Sequence, residues 1–221
     1  MRVDGTLWYH SFSRPGESYY SHSPYPIIHN FGITLALAGY DVDPNMGYAS
    51  IFGKKSYRNP LKVFNEYGIY SYPAIATKVF LKEMVMSASG EPIVEIKSKG
   101  RLSYPDMTSN IILAPGSELE TTIVSTSEMP KRMVIRIGAK RSGTITVELS
   151  NVKPEEKENE MVNMPFNLSD VDKVHEPVIV YNHEAGDIAM FGYATRAWAY
   201  TLNYGRKKNV IVPSLRGKNI W

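Results

Sequence analysis

The stretch SEMPKRMVIRIGAKRSGTITVEL, residues 127–149, decides the reading of the fold. Its first apolar segment, Met133 to Ile137, carries Val134, Ile135 and Ile137, and its second, Thr144 to Leu149, alternates with period two. β-Branched residues at that spacing build strands with two distinct faces. Between the segments stand Gly138, Lys140, Arg141 and Gly143, so the stretch reads as strand, basic loop, strand. Five basic side chains and no acidic one lie between Lys131 and Arg141. A loop clamped by two strands holds cations at fixed positions, which suits a polyanion such as RNA. An ordinary turn on a solvated face accounts for the same pattern about equally well.

Around this hairpin, short extended runs alternate with two helical ones, an α+β pattern. Residues 2–9 predict a first strand with Val3, Leu7 and Tyr9 on one parity and a bulge at Gly5. In IIHNFGITLALAGY, residues 27–40, helical spacing links Ile27, Phe31, Leu35 and Ala38, with Gly39 as the stop. That helix is expected to cover one face of a sheet. Leu61 to Tyr67 predicts a short helix, and Ile69 to Ala76 an extended run that Pro73 confines to an edge or a bend. Lys78 to Val85 and Ile93 to Ile96 read as a hairpin with a polar tip, followed by Lys97, Lys99 and Arg101. A loop is expected around Asn110 to Ala114, between Pro105 and Pro115. Leu119 to Ser125 predicts a strand paired with Met133 to Ile137.

Asn151 to Glu160, with four glutamates, reads as a linker, an exposed helix or the start of a second lobe. Phe166 to Val171 suggests a turn. Val178 to Tyr181, Ile188 to Tyr193, Ala197 to Leu202 and Val210 to Val212 supply short extended candidates, the third also fitting a helical turn. The expected division is a core over 1–150 and a C-terminal extension over 151–221. The extension either packs on the same core or forms a small second lobe.

Composition narrows the function. At 221 residues and 43% apolar, the chain can bury a real core. The net charge is only +3, but residues 51–150 hold 14 basic against 9 acidic groups, and residues 196–221 hold 6 basic and none acidic. Positive charge in the middle and at the C-terminus permits contact with phosphates. With no cysteine, disulfides, thiol catalysis and thiolate metal sites are excluded. No apolar run approaches the ~18 residues of a spanning helix, so a soluble, cytoplasmic protein without membrane contact is expected. Residues 41–60 interleave Lys54, Lys55 and Arg58 with Tyr48 and Tyr57, a mixture that lets rings stack on bases while cations pair with phosphates. An exposed loop with its tyrosines folded onto the core is the plain alternative.

Enzymatic signals are weak. His10, His22, His29, His175 and His183 form no HxxH or HExxH motif. His10 and His22 could serve as acid and base in RNA cleavage, but spacing fixes neither geometry nor protonation. His29, at a helix start, fits capping or packing better than catalysis. GAKRSG, residues 138–143, precedes no long helix and is rejected as a nucleotide loop. Asp41 and Asp43 fit a helix-end turn better than a divalent ion site. No catalytic residue, metal ligand or cofactor is assigned.

Several motifs in one order give a resemblance: IIHNFGITLALAG at 27–39, FNEYGIYSYPAIA at 64–76, MPKRMVIRIGAKRSG at 129–143 and MPFNLSDV at 164–171. The chain resembles the small Cas-five-like subunit of type I-D CRISPR effector complexes, the Csc-one group. The resemblance implies a ferredoxin-like, RNA-recognition-motif-like antiparallel sheet core with a β-hairpin or thumb insertion and additional C-terminal strands. It implies a non-catalytic subunit that binds the 5′ handle of crRNA and contacts the backbone and large subunits. Target double-stranded DNA near the adjacent motif is a further implied partner. Carried over by position, it points to His29 and Asn30, to Tyr67, Tyr70 and Tyr72, and to Arg136, Gly138, Lys140 and Arg141. Arg136, Lys140 and Arg141 would pair with phosphates, and the tyrosines would stack on bases or fill the neighbouring core. Two alternatives stand beside it: a repeat-RNA endonuclease of the same fold, and a β-rich scaffold or anti-defence protein that binds only proteins.

Overall fold

The computed structural model describes residues 1–7, 21–22, 27–42, 59–87, 107–137, 143–182, 186–204 and 206–218. The first half runs β1 (Arg2–Val3), β2 (Ser21–His22), β3 (Ile27–Ile28), α1 (Asn30–Val42), α2 (Pro60–Tyr67), β4 (Ile69–Ser71), β5 (Ala74–Lys78), β6 (Leu81–Ser87) and β7 (Met107–Leu113). It continues with β8 (Glu118–Glu120), β9 (Ile123–Ser125), β10 (Arg132–Ile137) and β11 (Gly143–Glu148). Then come β12 (Glu155–Met161), β13 (Phe166–Asn167), β14 (Val174–His175), β15 (Val178–Tyr181), β16 (Ile188–Met190), β17 (Tyr193–Tyr204) and β18 (Arg206–Pro213). The architecture is α+β, with a largest sheet of order β10-β11-β1-β8-β5-β3 whose neighbours are all antiparallel.

The central hairpin follows its alternation. β10 and β11 pair from Arg132↔Glu148 to Ile137↔Gly143. Met133, Ile135 and Ile137 turn inward, while Arg132, Val134 and Arg136 turn out. The inward residues join Val3, Leu119, Ile145 and Val147 beneath Ile33, Ala36 and Leu37 of α1. The helix therefore covers the sheet, but with a different stripe from the expected one. Phe31, Leu35 and Ala38 face Val63 and Tyr67 of α2 instead. A helix buried on two sides carries apolar residues on both, so one stripe alone cannot name its partner. Ile27, expected in the helix, belongs to β3 and pairs with Ile75.

α2 begins and ends on local signals. The Asn59 side-chain oxygen accepts from the Leu61 N–H at 2.9 Å, Pro60 occupies the first turn, and the Gly68 N–H bonds back to the Phe64 carbonyl.

Other expectations change. Asn110 to Leu113 is strand, not loop: β7 pairs with β6 from Leu81↔Leu113 to Ser87↔Met107. The expected partner strand Ile93 to Ile96 lies outside the described residues. Leu119 to Ser125 divides into β8 and β9 and does not pair with β10. β8 pairs with β1 and β5, and β9 with β4. The division falls at Thr121 and Thr122, where the Thr121 hydroxyl donates to the Tyr72 carbonyl at 2.7 Å and the Tyr72 N–H donates to the Thr122 carbonyl. The acidic run is neither linker nor helix: β12 pairs with β17 along its length. Glutamates are poor strand formers, so the ladder to β17 and the 2.8 Å Arg196–Glu156 ion pair override local preference here.

The strands after residue 150 share a core with earlier elements. Phe64, Tyr70, Tyr72 and Val124 pack with Val162, Phe166, Ala197, Trp198, Val212 and Leu215. Among the described residues no helix is long and apolar enough to cross a membrane.

Candidate nucleic-acid interface

The outer face of β10 is the first component. Arg136 is exposed and stands opposite Thr144, with no carboxylate paired to it among the described residues. Arg132, four pairs further along, has Glu148 opposite at 3.9 Å, which offsets its charge. Ile137↔Gly143 closes the ladder, so residues 138–142 form the five-residue connection that contains Gly138, Lys140 and Arg141. Those three lie outside the described residues. Gly143 is fixed by packing: a Cβ there would sit 2.4 Å from Leu7 Cδ1 and 3.2 Å from the Ile137 carbonyl oxygen. Leu7 is itself bridged to Leu113 through both backbone bonds, at 2.9 and 3.1 Å. The end of the basic hairpin thus abuts the root of the β6–β7 hairpin.

That root is the second component, and sequence reasoning missed its importance. Val79, Phe80 and Leu81 are all exposed. The Phe80 N–H donates to Ser117 Oγ at 3.0 Å and its carbonyl accepts from the Ala114 N–H at 2.8 Å, so the backbone is pinned while the ring stands in the open. Lys78 Nζ lies 5.1 Å from the Phe80 ring centroid, and Lys82 is exposed beyond it. Lys78 has Glu118 opposite at 3.6 Å, which offsets its charge as Glu148 offsets that of Arg132, so the exposed Lys82 is the cation this root adds beside a half-exposed ring, a pairing of charge and stacking surface that suits single-stranded nucleic acid. The signal was present in the sequence: Lys78, Phe80 and Lys82 share one parity of an extended run.

The other expected contacts lie inside. Asn30, Tyr70 and Tyr72 are fully buried. Asn30 Nδ2 donates to Asp170 Oδ2 at 2.8 Å and to the Tyr70 hydroxyl at 3.0 Å, while Asn167 Nδ2 donates to Asn30 Oδ1 at 3.2 Å. The Tyr70 hydroxyl donates to the same Asp170 oxygen at 3.1 Å. Tyr72 packs edge-on against Tyr70, with centroids 5.2 Å apart, and donates to the Pro213 carbonyl at 2.5 Å. Burial pushes the Asp170 carboxyl up to about 6, against the donors Asn30 and Tyr70, which pull it down. Burial also raises the Tyr70 and Tyr72 phenols, so both stay neutral donors. The network ties the start of α1 to the C-terminal strands. Of the two roles expected of the tyrosines, Tyr70 and Tyr72 take the second and fill a core, while the expectation that Asn30 meets RNA is corrected, because its amide is held inside the same network.

His29 and Tyr67 sit between these extremes. His29 Nδ1 accepts from the Phe31 N–H at 3.1 Å and Nε2 lies 3.0 Å from the Gly186 carbonyl, so both ring nitrogens hold backbone. Tyr67 is half-buried against the α1–α2 contact. Lys54, Lys55 and Arg58 lie outside the described residues. Among the described residues no group of His, Asp and Glu is placed to hold a metal ion.

A family model described as type I-D CRISPR-associated protein Cas5/Csc1 matches residues 1–214 of the chain. No curated protein matches it.

Proposed function

Because this chain belongs to the type I-D CRISPR-associated Cas5/Csc1 family, we propose that it is a non-catalytic, cytoplasmic subunit of an interference complex that binds the 5′ handle of crRNA. In this reading the antiparallel sheet is the ferredoxin-like core, and the β6–β7 hairpin is its thumb. The chain joins the backbone and large subunits, and target double-stranded DNA passes near it. One observation carries the reading: Lys78 at the end of β5, Phe80 in the link that follows, Lys82 of β6 and Arg136 of β10 are all exposed, and the β6–β7 and β10–β11 hairpins meet at Leu7. Cations there neutralise phosphates and the ring stacks on an unpaired base. Lys140 and Arg141 add two more charges to the connection that follows Arg136.

The test is direct binding of a handle-sequence RNA by fluorescence anisotropy across a salt series. Wild type is expected to bind with an affinity that falls steeply with salt. Phe80→Ala and Arg136→Glu are expected to weaken binding without unfolding the chain. Wild-type affinity in both variants would refute the placement. Cleavage of repeat RNA by the purified chain, lost in His10→Ala or His22→Ala, would replace this reading with an endonuclease.

A further inference from the structure

Ala114, Pro115, Gly116 and Ser117 form a turn closed by the Ser117 N–H on the Ala114 carbonyl at 3.2 Å. Proline in the second place and a glycine at φ +90° in the third are the type II pattern, because glycine alone takes that backbone freely. On its inner side the turn is tied to the main sheet. The Gly116 N–H donates to the Val3 carbonyl at 2.8 Å, and the Val3 N–H donates to the Ser117 carbonyl at 2.9 Å. On its outer side the turn meets Phe80.

Three contacts converge on that residue. Ser117 is fully buried, and its hydroxyl accepts from the Phe80 N–H at 3.0 Å and donates to the Phe80 carbonyl at 3.2 Å. A serine hydroxyl is donor and acceptor at once, so one side chain stands in for the backbone pair that a neighbouring strand would supply. Gly116 abuts the edge of the ring: a Cβ on it would lie 3.4 Å from both Cδ2 and Cε2 of Phe80. Glu118, next in the chain, lies 3.6 Å from Lys78, whose Nζ stands over the ring 5.1 Å from its centroid.

An exposed phenylalanine in a link between strands ordinarily exchanges among staggered rotamers. Phe80 is instead held at its backbone, along one edge and over one face, yet the residue stays 45% exposed. A ring fixed beforehand loses little freedom when a planar ligand settles on it, which is the advantage of a preorganised site. With Lys78 over one face, the opposite face is the one a base can cover. We propose that residues 114–118 form a seat that presents one face of Phe80 to a single unpaired base of the guide strand, with Ser117 and Gly116 as its positioning residues. The inference rests on the RNA-binding reading above and adds to it what fixes the ring and how many bases it takes.

The experiment uses the full chain and handle-sequence RNAs that carry 2-aminopurine at one position at a time, since stacking on a ring quenches that base. Fluorescence is read at saturating protein, so that lost affinity does not enter, and Tm and the salt slope of binding are measured beside it. Wild type is expected to quench one position through Phe80, and Phe80→Ala to abolish that quenching. In Ser117→Ala the freed ring samples about three staggered wells, so the quenching there is expected to fall about threefold while the salt slope holds. Gly116→Ala, which strains the turn and pushes on the ring edge, is expected to change quenching at the same position alone. Wild-type quenching in both variants would overturn the proposal. So would a Ser117→Ala chain that loses Tm and affinity but keeps the full quenching, which is the mark of a merely structural serine, or two adjacent positions that both depend on Phe80. RNA bound by wild type with no position quenched would overturn the seat and leave the RNA-binding reading standing. No RNA bound by wild type would refute that reading, and the seat with it.

Discussion

The β10–β11 hairpin and the segment from Ile69 to Ala74 both looked like RNA contacts, yet they behave oppositely. The hairpin alternates strictly, so its cations go out and its apolar residues go in. The tyrosine segment is buried on consecutive positions from Ile69 to Ala74, on both faces of the chain. A strand covered on both sides has no face left for a ligand. Alternation, more than residue type, separated a surface from an interior.

Four substitutions sharpen that contrast, in falling order of effect. Tyr72→Ala removes a buried ring and leaves the Pro213 carbonyl without its donor. It is expected to cost about 3–5 kcal/mol in a urea titration, with RNA affinity per folded molecule unchanged. Asp170→Asn probes the polar network through pH. The folded carboxyl is raised from 3.8 to about 6, so the folded state holds a proton the unfolded chain releases. Stability is therefore greatest below the unfolded value and falls as pH rises from about 4 to about 6, by up to ~3 kcal/mol. Subtracting an Asp170→Asn profile is expected to isolate that fall, and identical slopes for the two proteins would remove Asp170 from the account.

On the surface, Phe80→Ala is expected to leave the urea midpoint in place and cost RNA binding about 1–3 kcal/mol, as for one stacked base. Arg136→Ala is the mildest. It is expected to flatten the plot of log affinity against log salt by about 0.7, the contribution of one phosphate on a single strand, with Tm unmoved. A Tm loss in place of the slope change would turn Arg136 into a bracing residue.

Much of this was legible in the sequence. The apolar run Met133 to Ile137 and the period-two run Thr144 to Leu149 placed the hairpin, and Leu61 to Tyr67 matched α2 to within one residue. Other parts were hidden for physical reasons. Tyrosine is as suited to a core with a hydroxyl acceptor as to a base, and the acceptors of Tyr70 and Tyr72, Asp170 and the Pro213 carbonyl, lie 100 and 141 residues away. β12 reads as solvated chain because its strand character comes from β17 alone. Phe80 is one phenylalanine in a short apolar run that reads as core, and only Lys78 and Lys82 on its own parity mark it as exposed.

The most direct measurement is guide-RNA retention by the chain with Arg136, Lys140 and Arg141 all changed to glutamate, compared with wild type at equal folded concentration. The account expects retention to fall at least tenfold while the urea midpoint holds. Retention equal to wild type would contradict it.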